Sequence, residues 1–418
     1  MILPEAAMRK SHHTRHLLVL VSCCLMAASS IGVYTNSVGV FYTTVSADLG
    51  VGRGAFALHA TLCALVTGFL SPLSARLMKK IRFRVLIIAG STLAAAATAL
   101  MSLAGSVGLF YALGILRGIG LTFFYIMPVT TLINNWFRKR HGMAVGIALS
   151  FSGLAGAAFS PLFSALISSA GWQASFLWMA GIGFALTVPA MLFVSFRPEN
   201  AGLVPYGADE KAGRTTEPND APHKKQMIFS PAMAVLCGMT LMHTSVTAIA
   251  QHFPGMGEWM GYESSVGAVM VSAGMIGNIV SKLIIGTLSD RIGPFRAGMC
   301  MILVNALSLT GLLLLGGSAS WIIIGICFFY GSVYAFGAVG IPLLTRTLFG
   351  TENYASSYAV VSIFTCVGSA LALTVVGLVY DLTGGYTAAL AGALGIDLVN
   401  LMILLGLMRM AGKRQVLA

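Results

Sequence analysis

Charge is the scarcest property of this sequence. Only 9% of its 418 residues are charged, and 13 acidic residues face 25 lysines and arginines. A soluble globular chain carries about 25% charged residues and about 45–50% apolar ones. Here the apolar share is 57% and the mean hydropathy is +0.86. So little charge cannot cover a water-facing surface, which excludes an ordinary soluble fold and points to lipid as the solvent. Long polar runs are missing too, apart from 197–229. No glycine loop ending in Lys-Ser/Thr occurs, which argues against ATP-driven transport by this chain. The apolar runs hold no paired carboxylates, metal cluster or nucleophile–base spacing. We therefore expect no enzyme, no catalytic residue, no metal and no cofactor. The seven cysteines (Cys23, Cys24, Cys63, Cys237, Cys300, Cys327 and Cys366) lie in apolar stretches without zinc, haem or secreted-framework spacing. They read as small buried apolar residues with no disulfide.

What the chain has instead is apolar runs. A helix needs roughly 20 such residues to cross a bilayer. The runs predict six spans at 17–41, 55–75, 85–104, 108–134, 142–168 and 175–196. Six more follow at 230–252, 264–287, 298–316, 320–345, 355–380 and 387–408. The fold class is an all-α integral membrane protein with twelve transmembrane helices in two six-helix halves. The first run is too long for a signal peptide, and further spans follow it directly. The 48 glycines suit close helix packing in lipid.

Basic residues set the orientation. Arg9, Lys10 and Arg15 precede the first span. Arg76, Lys79, Lys80, Arg82 and Arg84 follow the second, and Arg138, Lys139 and Arg140 the fourth. The middle segment holds Arg197, Lys211, Arg214, Lys224 and Lys225. Arg291 and Arg296, then Arg346, then Arg409, Lys413 and Arg414 continue on the same side. Only Arg53 falls opposite, and Arg117 and Lys282 lie within spans. The basic side is expected to be cytoplasmic, with both termini inside the cell membrane. The net charge of +12 thus reads as membrane topology, and no nucleic-acid partner is expected. Trp136, Trp172, Trp259 and Trp321 stand near span ends and read as interfacial residues. The cluster His12, His13 and His16 reads as a membrane-surface contact rather than a metal site.

This map divides the chain into a cytoplasmic tail (1–16), an N-terminal half (17–196), a linker (197–229), a C-terminal half (230–410) and a second tail (411–418). Mixed charge and Pro198, Pro205, Pro218 and Pro222 make the linker read as flexible. The halves share traces of a parallel repeat. Residues 75–82 (Ala-Arg-Leu-Met-Lys-Lys-Ile-Arg) align with 286–293 (Gly-Thr-Leu-Ser-Asp-Arg-Ile-Gly), and Gly171-Trp172 with Gly385-Tyr386, at similar offsets.

The segment Gly286-Thr-Leu-Ser-Asp290-Arg291-Ile-Gly293-Pro-Phe-Arg296 resembles the signature between helices 8 and 9 of the major facilitator superfamily. The resemblance implies a gate-latching turn built on Gly286, Asp290, Arg291, Gly293 and Arg296. Arg76 belongs to the first-half copy, which has Ala75, Lys79 and Arg82 where the family has Gly, Asp and Gly. Asn135-Trp-Phe-Arg-Lys-Arg-His-Gly142-Met-Ala-Val-Gly146, Gly171-Trp172-Gln173 and Val40-Phe41-Tyr42 leading to Asp48-Leu49-Gly50 narrow the likeness. Together they resemble the bacterial branch of the monocarboxylate transporters and oxalate/formate exchangers.

Ionisable residues inside spans are functional candidates, because burying them is costly. By the resemblance, Lys282 occupies the place where monocarboxylate transporters carry an Arg that binds the substrate carboxylate. The alternative is a lysine snorkelling to cytoplasmic water. Asn278, one turn earlier on the same face, stands where proton-linked members have Asp, and Asn36 where animal members have Lys. Arg117, in a run similar to the superfamily's helix 4 motif, reads either as a substrate contact or as a partner for polar groups of the first span. His243 reads as a neutral-pH titrating group or a packing histidine. Tyr34, Tyr125, Tyr330 and Tyr334 lie on spans that line the cavity in this superfamily. They suit either a carboxylate with an apolar body or plain packing. Asp397, the acidic residue near mid-span, reads as a structural pairing or an oligomer contact rather than as a coupling group.

The leading expectation is a secondary transporter, active or facilitative, of a small organic anion resembling a monocarboxylate. It would work by alternating access of the two halves, as symport or antiport. Its partners are a small-molecule substrate that is a carboxylate, the lipid bilayer, and a proton or counter-anion. Two alternatives stand beside it: a permease or exporter of neutral or cationic compounds on the same fold, and a membrane sensor that binds a ligand without moving it.

Overall fold

Helices account for nearly all of the chain, as hydrocarbon requires: every backbone N–H and C=O must be satisfied within its own segment. The computed structural model describes residues 5–207 and 230–416. It divides into two compact units, Met1–His223 and Lys224–Ala418. The expected linker from 208 to 229, with Lys211, Arg214, Lys224 and Lys225, lies outside the described residues, as do the side chains of His12 and His13.

In the first unit, α1 is Glu5–Ala27, so helix begins within the expected tail. It continues through a π turn, Ala28–Val33, and a 3-10 turn, Asn36–Phe41. The second helix, α2, is Arg53–Phe69, and a further segment, Ser71–Lys80, bends 48° away from it next to Pro72. Then come α3, Phe83–Leu100, and α4, Val107–Leu121, which resumes as Ile126–Trp136. A continuous run, His141–Phe193, contains α5 (141–170) and α6 (172–193).

In the second unit, α7 is Pro231–Val246 and tightens into a 3-10 turn, Thr247–His252. It is followed by α8, Ser264–Ile292, and α9, Pro294–Leu314. Next, α10 opens at Ser320–Tyr330, passes through Ser332–Ala335 and a π turn, Phe336–Gly340, and ends at residue 349. The chain closes with α11 (351–383) and α12, Thr387–Val416.

Among the described residues, length and apolarity alone admit ten spans, or eleven with the bent α2 counted as one. One of these, Ser320–Ala372, is 53 residues long. At 1.5 Å per residue it would measure about 80 Å, far more than a hydrocarbon core of about 30 Å. The break at Gly350 divides it, which gives twelve. Gly171, Gly293 and Gly350 make three of the reversals with φ of 84°, 86° and 77° and ψ of 164°, 156° and 167°. That backbone region belongs essentially to glycine.

The outer surface is apolar. Leu103, Leu314 and Leu382 are each more than three-quarters exposed, which suits contact with lipid tails in a multi-pass membrane protein. Trp259 and Trp321 are exposed near helix ends, as expected of interfacial residues. Trp172 and Trp136 depart from that expectation, since both are buried. An indole ring fits a protein interior once its N–H has an acceptor. Trp136 Nε1 donates to Ser195 O at 2.9 Å, and Trp172 Nε1 to Asp48 Oδ2 at 2.9 Å.

The start of the expected flexible linker is likewise fixed. Tyr206 N donates to Trp136 O at 2.8 Å, Arg138 N to Tyr206 O at 3.0 Å, and Asn135 Nδ2 to Phe196 O at 2.9 Å. His16 does not lie on a membrane surface. It is buried against the rings of Trp136, Phe137 and Tyr206, with Nε2 at 3.0 Å from Val204 O. Aromatic burial and paired backbone groups outweigh the proline-rich composition of residues 197–207.

Candidate functional site

The polar candidates of the second unit gather where α10 departs from regular helix. At Gly331 its backbone lies against that of α8. A Cβ on Gly331 would overlap the backbone nitrogen of Asn278, and one on Gly277 would overlap the Phe328 carbonyl. Small residues are what permit such an approach between spans. The crossing fixes the turn of α8 that carries Asn278, and Lys282 stands one turn further along the same face.

From the other side, α7 is bonded to the same stretch of α10. Tyr330 OH donates to Val246 O at 2.5 Å and Tyr334 OH to Thr247 O at 3.3 Å. His243 Nε2 lies 2.9 Å from Val333 O, and its ring meets Phe336 edge-on at 4.7 Å. The hydroxyls of the two tyrosines and one nitrogen of the histidine therefore serve the α7–α10 contact. Three polar atoms here have no hydrogen-bond partner among the described residues: His243 Nδ1, Asn278 Oδ1 and Ser332 Oγ, all buried.

Lys282 is 4% exposed. A snorkelling lysine keeps its ammonium in water, so this burial favours a positive group held inside the protein.

In the first unit the candidates are spread out. Tyr34 is buried, packs on Gly183 and donates its hydroxyl to Ala180 O at 3.1 Å, within the α1–α6 packing. Asn36 stands in the irregular part of α1, exposed, with Nδ2 at 3.3 Å from Ser152 O of α5. Tyr125 is half-buried at the restart of α4. Arg117 is 1% exposed; its Nη1 contacts Met101 Sδ at 3.8 Å, and among the described residues its Nε has no partner. On the neighbouring α2, His59 is fully buried, with Nδ1 at 2.6 Å from Phe56 O.

His59 was not a candidate from sequence, although a histidine inside an apolar run is the same signal that singled out His243. Nor was Asn305 of α9, whose Nδ2 donates to Asp397 Oδ2 at 2.6 Å. Asp397 is therefore paired within the chain.

The signature turn takes a defined form. Gly286 is buried, while Asp290, Arg291 and Arg296 are exposed around Gly293. Gly293 joins α8 to α9 with φ of 86°, and Pro294 opens α9. In the first-unit copy the exposed Arg76 lies on the Ser71–Lys80 segment, and Arg82 replaces Gly293. Arg82 has φ of −56°, which any residue adopts, so this turn does not need the missing glycine. The Trp172–Asp48 bond joins two segments that carried the family likeness.

Comparison with known proteins places this geometry. The Major Facilitator Superfamily pattern matches residues 18–373. Among curated relatives, rat (Rattus norvegicus) monocarboxylate transporter 13 is 25% identical over 90% of this chain and 85% of its own. Human (Homo sapiens) monocarboxylate transporter 1 is 23% identical over 85% and 76%. Among solved structures, the transporter FucP in its outward conformation aligns with a TM-score of 0.69, at 15% identity, over 93% of this chain and 97% of that one. A single-substitution variant of the E. coli fucose:proton symporter FucP aligns at 0.68 and 16% identity, with the same coverage. At such identities the structural likeness shows the fold.

Proposed function

The chain belongs to the Major Facilitator Superfamily and is a secondary transporter, and we propose that it carries a small organic anion of the monocarboxylate type across the cell membrane by alternating access. The observation that carries this reading is Lys282, a lysine 4% exposed inside a spanning helix. A buried cation is stabilised by an anion that enters beside it, and Lys acts there as a point charge. Asn278 adds a buried carbonyl oxygen one turn away, suited to a hydrogen bond from the substrate. The monocarboxylate transporters among the relatives support the substrate class.

In the first unit, Asn36 presents an exposed amide from irregular helix, and Arg117 supplies a second buried cation. We assign both to the transport path, together with Tyr125 at the restart of α4 and with His243, Tyr330 and Tyr334 shaping α10. The turn at Gly293, with Asp290, Arg291 and Arg296, and with Arg76 in the first unit, is assigned to gating. Both termini are placed in the cytoplasm, from the distribution of lysine and arginine.

Position 278 bears an amide, which takes up no proton at physiological pH. Exchange of one anion for another and facilitated diffusion therefore stand beside symport. A second reading, a carrier of neutral compounds, is favoured by Asn36 and Asn278, since amides recognise uncharged hydroxyl and carbonyl groups.

The test is uptake of a labelled carboxylate panel into proteoliposomes, with and without preloaded substrate, for wild type and Lys282→Ala. Uptake that requires Lys282 is the expected result, and stimulation by preloading identifies exchange. Equal uptake by both proteins, or no carboxylate uptake at all, removes the anion reading.

A further inference from the structure

A second polar cluster lies in the C-terminal unit, on helices other than α8. Asp397 of α12 and Asn305 of α9 are fully buried, and so is Asn400, one turn beyond Asp397. The carboxylate accepts one hydrogen bond, from Asn305 Nδ2 to Oδ2 at 2.6 Å. Among the described residues, Asp397 Oδ1, Asn305 Oδ1 and both amide atoms of Asn400 have no partner.

The neighbouring helices offer no described cation to balance a charge there. No described lysine, arginine or histidine bonds to Asp397 or acts on it electrostatically. On α7, His243 is engaged with Val333 O, and on α9, Arg296 is exposed near the helix start. On α11, Tyr380 packs its ring on Tyr386. The titratable group in electrostatic reach is Tyr330 of α10, whose hydroxyl is donated to Val246 O.

An ionised carboxylate is acceptor-only, and so is an amide oxygen. While the acid is ionised, Asp397 Oδ1 and Asn305 Oδ1 are both buried acceptors without a donor on the two groups joined by the Nδ2–Oδ2 bond. A proton on the carboxyl turns one of its oxygens into a donor and removes the buried charge, while Oδ2 keeps its bond from Asn305 Nδ2. An ionised Asp397 with a single hydrogen bond would lie in a low-dielectric interior, where an unpaired charge is strongly disfavoured.

We propose that Asp397 and Asn305 form a proton-binding site inside the C-terminal unit, occupied at neutral pH and separate from Lys282 and Asn278. It supplies a protonatable carboxyl within the membrane, which position 278 lacks. The proposal concerns the coupled ion and stands whether the substrate is an anion or a neutral compound.

The test is infrared spectroscopy of the full chain reconstituted in lipid at neutral pH. A carboxylic-acid C=O band that shifts in heavy water is expected in wild type. It should vanish in Asp397→Asn and move in Asn305→Leu, which removes the amide partner. If Asp397→Asn does not fold, Asn305→Leu carries the test alone. The site is refuted if neither variant alters the acid band, or if wild type shows no such band. A carboxylate band that responds instead to exchange of sodium for potassium also refutes it, in favour of a metal cation.

Discussion

The two units are built from the same six-helix plan, yet they place their polar residues differently. In the C-terminal unit, Asn278 and His243 meet the irregular stretch of α10 that carries Tyr330 and Tyr334, and Lys282 follows Asn278 by one turn. In the N-terminal unit, Asn36, Tyr125 and Arg117 sit on separate irregular or buried positions of α1 and α4. Close backbone approach is common to both units: Gly114 and Gly118 bring α4 against the backbone of α2, as Gly277 and Gly331 bring α10 against α8. The difference lies in the side chains that flank the crossings, His59 and Arg117 in the first unit and Asn278 and Lys282 in the second. A repeat of architecture therefore does not imply a repeat of site.

The strongest test of this asymmetry is Lys282→Ala. Truncating one partner of a buried charge contact costs about 2–5 kcal/mol, or roughly 30- to several-thousand-fold in kcat/KM for carboxylate uptake. Lys282→Arg should retain more activity than Ala. If Arg117→Ala produced the larger loss in the same assay, the site would centre on the N-terminal unit and the comparison would be reversed.

A smaller effect is expected at the crossing itself. Gly277→Val places a branched side chain against the Phe328 carbonyl, and overpacking of this kind costs about 1–3 kcal/mol or more. The check is the thermal midpoint in detergent, set against Gly39→Val, where nothing lies within 4 Å of the added Cβ. Equal midpoints would mean that the α8–α10 crossing does not require glycine at position 277.

The repeated turns give a matched pair. Gly293→Ala forces a side chain into φ of 86°, at about 1–3 kcal/mol, whereas Arg82→Ala, at φ of −56°, should stay within about 0.5 kcal/mol. Thermal stability of both variants tests whether the first-unit turn is free of the glycine requirement. A modest effect is expected of Trp172→Phe, which removes the bond to Asp48 and should cost about 0.5–1.5 kcal/mol in the thermal midpoint. No change there would mean that the segment between α1 and α2 is held by ring packing alone.

Much of the fold is legible in the sequence, because lipid imposes a length and composition rule on each span independently of the others. Asn278 and Lys282 share a face for an equally local reason, the period of a helix. Trp136 misled because its position near a span end says nothing of Ser195, whose carbonyl satisfies the indole N–H and so permits burial. Residues 197–207 read as flexible by composition, yet they are held by backbone bonds to the end of α4. His59 and Arg117, like Asn305 and Asp397, lie on different helices, and no local pattern links them.

The sequence alone determined that this chain spans the membrane, roughly where each span lies, and which residues would be costly to bury. Each of those follows from transfer of side chains out of water, position by position. Only the tertiary structure decided which buried groups find partners: Asp397 does in Asn305, while Arg117 Nε, Asn278 Oδ1 and Asn400 do not among the described residues. That outcome depends on how closely helices approach one another, and a few glycines set the approach at points far apart along the chain.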